Sequence, residues 1–251
     1  MTYCVGILVR DGLIMMGDTR TNAGVDNISR YRKLRLVANA PDRLIAVASA
    51  GSLSTTQGAL HRMAEGIVNP ETDETDRWDS VPSIYQAVLS AGRALRAARD
   101  GMESLEQDDI NFDATLLVGG SVGGEPYRLF LVYPAGNAIE CGQDTPYLQI
   151  GEAKYGKPVL DRALSFDASL DEAMKIALIS FDSTMRSNLA VGLPIDLIAV
   201  RQGSIMPVAN VRIGVDDPYF SALSRQWDAA LASATAAIPL PSYATPSASS
   251  A

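Results

Sequence analysis

Short apolar runs separated by turn residues open the chain. Residues 3–9 and 12–17 are continuous apolar stretches split by Asp11-Gly12, a hairpin signal that predicts two antiparallel strands. Further strands are predicted at 33–38 and 43–50. After Gly51-Ser52 the period changes, and Leu53, Ala59, Leu60, Met63 and Ile67 recur at helical spacing up to Asn69-Pro70. Gly51 therefore marks a sharp turn from a strand into a helix. The run Glu71-Thr-Asp-Glu-Thr-Asp76 has no apolar residue to bury and reads as a solvated loop. Beyond it Val81, Ile84, Tyr85, Val88, Leu89, Gly92 and Leu95 trace one face of a long helix, whose other face carries Arg93, Arg96 and Arg99 and reads as solvated surface.

Strand-like runs return at 113–119, 127–133 and 147–150, joined by Gly-rich or Pro-Ala-Gly turns. Gly119-Gly-Ser-Val-Gly-Gly124 lacks the G-x-G-x-x-G order of a phosphate loop and leads into a strand, so it is read as a hairpin turn. Helices are predicted near 155–166 and 170–185, the second burying Leu170, Ala173, Met174, Ala177 and Phe181. Strands at 195–201 and 204–211 follow, and Asp217-Pro218 begins a last helix to about residue 233. Hairpins in place of alternating β-α-β units predict an α+β protein, with antiparallel sheets and helices packed outside them.

Composition narrows the function classes. With 251 residues and 47% hydrophobic content the chain can bury a large core, and one domain over 1–237 is expected. Residues 238–251 have too few apolar groups to offset ordering and are expected to be a disordered tail. A net charge of −8 with scattered basic residues excludes nucleic acid as the main partner. No apolar run approaches the ~18 residues of a membrane span and no secretory pattern opens the chain, so no membrane association and a cytoplasmic location are expected. Cys4 and Cys141 form no ligand pair, and Cys4 reads as an inert core thiol. His61 is the one histidine, on a helical stretch without ligand spacing, and reads as a surface or structural residue. No metal and no cofactor are expected.

A single histidine forces Ser-His-Asp or Cys-His chemistry to run through His61. The N-terminus offers a route without it. Thr2 follows the start Met, and removal of Met1 is the expected fate of a start Met before a small residue. Thr2 would then hold a nucleophilic hydroxyl and a free α-amine, whose ordinary pKa of roughly 7.7–8.0 lets it act as its own base. Asp18, at the end of the second strand, returns from the Asp11-Gly12 hairpin to lie beside Thr2. Arg20, two residues on, faces the same side and can orient Asp18 with fork-shaped donors. An ordinary surface ion-pair cluster of Asp18, Arg20 and Lys33 is the alternative, as a plain turn is for Gly51.

Thr2-Tyr-Cys-Val-Gly-Ile-Leu-Val9, Leu13-Ile-Met-Met-Gly-Asp-Thr-Arg20, Arg32-Lys33-Leu34 and Ala48-Ser-Ala-Gly51-Ser52 resemble the proteasome β-type subunits of the N-terminal-nucleophile hydrolases. Asp18-Thr-Arg-Thr-Asn-Ala-Gly24, Gly151-Glu-Ala-Lys-Tyr-Gly-Lys-Pro158 and Ser187-Asn-Leu-Ala-Val-Gly-Leu-Pro-Ile-Asp196 most resemble the Anbu branch, bacterial proteasome-like ancestral β-subunits. The similarity spans about residues 2 to 215. It implies a four-layer αββα sandwich of two antiparallel sheets between helix layers, and a threonine-type peptidase in a self-compartmentalising homo-oligomer, ring or spiral, acting on a peptide or protein. A non-catalytic assembly subunit and an amidohydrolase for a small or non-standard amide are the alternatives. An unfoldase partner is left open.

The resemblance also assigns roles. Lys33 would lie near the Thr2 hydroxyl, disfavour protonation of the amine and be held by Asp18. The Gly51 N–H would be the oxyanion donor. Thr21 and Ser49 would line the substrate channel. Two positions depart from the pattern. Active β-subunits carry a Ser in a Gly-Ser-Gly run where this chain has Gly151-Glu152-Ala153, and an orienting Asp where it reads Arg186-Ser187-Asn188. Ser187 can hydrogen-bond the amine but brings no negative charge.

Overall fold

The computed structural model describes residues 2–22, 28–102, 111–241 and 243. The expected tail falls largely outside the described residues. The chain divides into two compact units, 1–215 and 216–251. In the second, a helix, Pro218–Ala237, is capped by Asp217, whose carboxylate accepts the Phe220 N–H at 2.7 Å. Its sequence start at Asp217-Pro218 is therefore a cap followed by a proline at the first turn, where the missing N–H is of no consequence.

The first unit is built on two sheets. The first has the order β12 (Tyr147–Gly151), β1 (Tyr3–Val9), β2 (Gly12–Asp18), β13 (Ile195–Arg201) and β14 (Pro207–Ile213). The second has the order β11 (Ala138–Glu140), β10 (Arg128–Val132), β9 (Ala114–Val122), β6 (Arg43–Gly51) and β5 (Leu34–Ala40). Neighbouring strands in both are antiparallel, with Val5 opposite Met16 and Val47 opposite Val118. Between the sheets lies a core that includes Cys4, Met15, Leu44, Leu117, Leu129 and Val200.

Helices close the two outer faces. α1 (Leu53–Glu65) and α2 (Ile84–Asp100) cover the second sheet through Met63, Ile84, Val88 and Leu95, packed with Ile45, Val47, Val118 and Phe130. α4 (Leu170–Ser187), preceded by the short α3 (Lys157–Ala163), covers the first sheet, where the Phe181 and Tyr3 rings lie 4.5 Å apart. The layers are helix, sheet, sheet, helix. Because β1 and β2 are covered on both faces, they are buried along almost their whole length. That explains their continuous apolar runs, which a half-exposed strand would not show. Each such Val, Ile or Leu contributes roughly 1.5–3 kcal/mol by burial.

Several local expectations change. α1 ends at Glu65 rather than near Asn69, because Gly66 adopts a φ of 115° and turns the chain into β7 (Ile67–Val68). β7 pairs with β8 (Thr75–Asp76), so the acidic run is not wholly solvated. Asp76 is buried and accepts from Ser90 Oγ at 2.5 Å, Gln86 Nε2 at 2.7 Å and Arg93 Nη2 at 3.0 Å. Arg93 therefore turns to a buried charge partner and Arg99 pairs with Asp113 at 2.8 Å, so of the three arginines read as solvated surface only Arg96 is exposed. The β9–β10 turn falls at Gly123-Gly124, both with positive φ, as the hairpin reading required. The short ribbon of β3 (Arg20–Asn22) and β4 (Ile28–Arg30), and β11, were too brief to show a period.

Candidate active site

Thr2 stands immediately before β1, which runs between β2 and β12. Its carbonyl accepts the Glu152 N–H at 2.6 Å. Such an approach depends on Gly151, which has a φ of 82° and whose replacement Cβ would lie 2.1 Å from the Thr2 oxygen.

Asp18 ends β2 directly alongside, with no solvent exposure. Its Oδ1 accepts the Tyr3 N–H at 2.9 Å and Lys33 Nζ at 2.7 Å, and its Oδ2 accepts the Arg20 N–H at 3.1 Å. Burial pushes the Asp18 carboxyl up from its ordinary pKa, while the Lys33 charge and these hydrogen bonds pull against that rise. Lys33, just ahead of β5 and itself buried, also donates to the Arg20 carbonyl at 2.5 Å. Its own carbonyl accepts the Ser49 N–H at 3.1 Å, which ties the lysine to β6 in the second sheet.

These residues meet at a cavity of 340 Å³ lined by Thr2, Thr21, Lys33, Ser49, Ala50, Gly51, Leu53, Thr56 and Gly151. Gly51 ends β6 with a φ of 97°, and a Cβ there would lie 2.3 Å from the Asp113 carbonyl. Only glycine makes this turn without strain. Ser52 then caps α1, its Oγ accepting the Thr55 N–H at 3.3 Å. Thr2, Lys33, Gly51, Thr21 and Ser49 are thus brought to one cavity, with Asp18 behind Lys33.

Arg20 is placed differently from the expectation. Its guanidinium does not fork onto Asp18; Nη1 donates to the Leu189 carbonyl at 2.7 Å, and the group lies against Gly192. The break between β2 and β3 at Thr19 directs the side chain to the loop after α4, so Asp18 is held by the Arg20 backbone instead. Ser187 is exposed at the last position of α4 and is not among the residues lining the cavity.

The residue after it makes the contact that sequence reading missed. Asn188 Nδ2 donates to Glu152 Oε2 at 2.8 Å. Both belong to the two stretches that depart from the active-subunit pattern, and that coincidence was the available signal. Burial opposes ionisation of Glu152, but the hydrogen bonds from the Lys154 N–H and Asn188 hold its carboxyl below the usual range.

Cys4 faces the core between the sheets, its Sγ 3.7 Å from the Ser49 carbonyl, and burial pushes its thiol up. His61 is exposed on α1 and lies 2.9 Å from Glu65, one turn on. Among the described residues no group of three His, Cys, Asp or Glu could hold a metal ion, and no helix is long and apolar enough to cross a membrane.

Two antiparallel sheets between helix layers, with a threonine at the head of the first strand and a lysine–aspartate pair beside it, are the fold of the proteasome-type N-terminal-nucleophile hydrolases. The solved structure of Anbu (ancestral beta-subunit) from Yersinia bercovieri shares 44% identity, covering 95% of this chain and 98% of its own, with a TM-score of 0.85. The chain belongs to the Anbu family of proteasome-like β-subunits. The helical assembly of the Anbu complex from Pseudomonas aeruginosa is similar at 39% identity and a TM-score of 0.87, over 97% of this chain and 100% of that one. A proteasome subunit beta of Ferroglobus placidus is 24% identical over 206 residues, 80% of this chain and 87% of that protein. No protein-family model matches the chain.

Proposed function

We propose that the protein is a threonine-type amide hydrolase, a peptidase working as a homo-oligomer, with the Thr2 hydroxyl as nucleophile and the Thr2 α-amine, freed by removal of Met1, as base. The observation that carries this reading is the placing of Thr2, Lys33 and Gly51 on one cavity while Asp18 grips both Lys33 and the amide that follows Thr2.

The chemistry follows from those positions. Thr2 Oγ1 attacks the amide carbonyl while its proton passes to the α-amine. Lys33, a compact ammonium fixed by Asp18, favours the neutral amine and stabilises the developing oxygen charge. The Gly51 N–H is the donor for the oxyanion. As the tetrahedral intermediate collapses, the α-ammonium returns its proton to the leaving amine, leaving an ester on Thr2. Water, deprotonated by the same amine, cleaves that ester and regenerates the hydroxyl. Thr21 and Ser49 pair with an extended peptide lying along the cavity, a site that suits a small or polar side chain.

Mass analysis of the intact N-terminus, then labelling with a hydroxyl-and-amine-directed epoxyketone, tests the assignment. A mature N-terminal Thr2, labelled in the parent protein and unlabelled in Thr2→Ala with assembly intact, is expected. A retained Met1 sinks the mechanism, and labelling that survives in Thr2→Ala points to another nucleophile. An assembled protein with a free Thr2 that neither labels nor hydrolyses amides would leave the assembly-subunit reading.

A further inference from the structure

The peptide group joining Thr2 to Tyr3 is held on both sides. Its N–H donates to Asp18 Oδ1 at 2.9 Å, and its carbonyl accepts the Glu152 N–H at 2.6 Å. The first grip belongs to the Lys33–Asp18 pair. The second belongs to a separate set of contacts that takes no part in the proposed reaction.

Glu152 is buried, and both its carboxylate oxygens are engaged. Oε1 accepts the Lys154 N–H at 2.8 Å and Oε2 accepts Asn188 Nδ2 at 2.8 Å. Asn188 is oriented in turn, because its Oδ1 accepts the Ala190 N–H at 3.0 Å while its own N–H donates to the Thr184 carbonyl at the end of α4. The Glu152 side chain therefore fastens the segment after β12 to the loop after α4. The Thr2 side chain branches from the backbone beside this peptide group, so the fastening reaches the nucleophile through one backbone hydrogen bond.

We infer that Glu152 is a positioning residue for Thr2: through Asn188 it locks the segment that grips the Thr2 carbonyl, and so fixes the direction of the Thr2 hydroxyl over the cavity. This rests on Thr2 being the nucleophile. Gly151 is what brings the Glu152 amide within reach, since no side chain fits against the Thr2 carbonyl there.

The donor pattern supplies the test. Asn188→Asp sets two carboxylates against each other. Glu152→Gln sets two amide NH2 groups together, and rotating Asn188 to avoid this would turn a donor onto the Ala190 N–H. In the double variant Glu152→Gln/Asn188→Asp the polarity is reversed and the bond returns: the new amide donates to the new carboxylate, and the Lys154 and Ala190 N–H groups keep acceptors. Each single variant is expected to lose kcat by about tenfold or more with KM nearly unchanged, because a misplaced nucleophile affects the chemical step. The double variant is expected to recover most of it.

Hydrogen exchange of the assembled protein reads the same geometry without turnover. The Glu152 amide should exchange faster in each single variant and return to the parent rate in the double, with β9 amides unaffected. Single variants with parent kcat and parent Glu152 exchange overturn the inference, as does a double variant no better than the singles, or exchange that rises throughout the chain. If the parent protein hydrolyses nothing, the proposed function falls, and the exchange pattern alone decides whether Glu152 holds Thr2.

Discussion

Lys33 and Asp18 form a buried ion pair, Nζ to Oδ1 2.7 Å, in which the lysine is 7% exposed and the aspartate not at all. Removing one partner leaves a charge stranded in the core, so Lys33→Ala should lower the unfolding free energy by about 3–5 kcal/mol. Replacing both, as in Asp18→Asn/Lys33→Met, should recover most of that loss while activity stays as low as in Lys33→Ala. Urea unfolding with parallel rate measurements checks both halves; a Lys33→Ala protein as stable as the parent would show that the pair is not isolated from solvent.

The same lysine has a kinetic signature. Lys33→Ala should slow hydrolysis by roughly a hundredfold or more, since one preorganised charge supplies on the order of 3 kcal/mol at the transition state. Without that positive charge the Thr2 amine holds its proton more tightly, so the acid limb of the pH–rate profile should move to higher pH. Lys33→Arg should fail as well, because a planar fork cannot replace a point charge that already serves Asp18 and the Arg20 carbonyl. An unchanged rate and limb in Lys33→Ala would remove Lys33 from the mechanism.

Gly51→Ala should be damaging out of proportion to its size. The turn holds a φ of 97° and the new methyl would meet the Asp113 carbonyl. Strain of order 1–3 kcal/mol is expected in thermal unfolding, together with a loss of rate as the backbone at the cavity wall is displaced. Full activity in this variant would exclude the Gly51 amide as the oxyanion donor.

The two thiols should be silent. Burial pushes Cys4 up well beyond an ordinary thiol and Cys141 up to about 12, so almost no thiolate exists at pH 8. Iodoacetamide should therefore modify neither in the folded protein and both after unfolding. Rapid alkylation of Cys4 in the native state would reopen it as a rival nucleophile to Thr2.

By resemblance to the ring or spiral assemblies of the family, homo-oligomerisation is expected, and we propose α1 and α2 as its contact faces. Ala64 is exposed on α1. Ala64→Arg should lower the sedimentation coefficient at micromolar concentration without changing the circular dichroism spectrum. A parent protein that sediments as a monomer would refute the assembly.

The fold was legible wherever an element was long and covered. β1, β2 and β6 show unbroken apolar runs, and α2 and α4 a clear apolar face, because burial on both sides or along one stripe leaves a period in the sequence. Asp76 was not legible: six polar residues in a row look solvated, and only the fold brings Ser90 and Arg93 to one of them. At the site, the cavity positions of Thr2, Lys33 and Gly51 could be expected from pattern and resemblance. The Arg20 guanidinium could not, because residue spacing says nothing of a loop 169 residues away that offers a better acceptor. The Glu152–Asn188 contact joins positions 36 apart and was hidden for the same reason.

The two sheets draw on different parts of the chain. β5, β6, β9, β10 and β11 are complete by Glu140, whereas the sheet that holds β1 waits for β12 to β14 and closes only at Ile213. A growing chain can therefore raise one sheet while the sheet of its opening strand still lacks three of its five strands, β12 beside β1 among them. Thr2 would lack the Glu152 amide until residue 152 of the 251 has left the ribosome, so a half-made subunit would carry the proposed nucleophile without the frame that aims it, and synthesis itself would keep Thr2 unarmed.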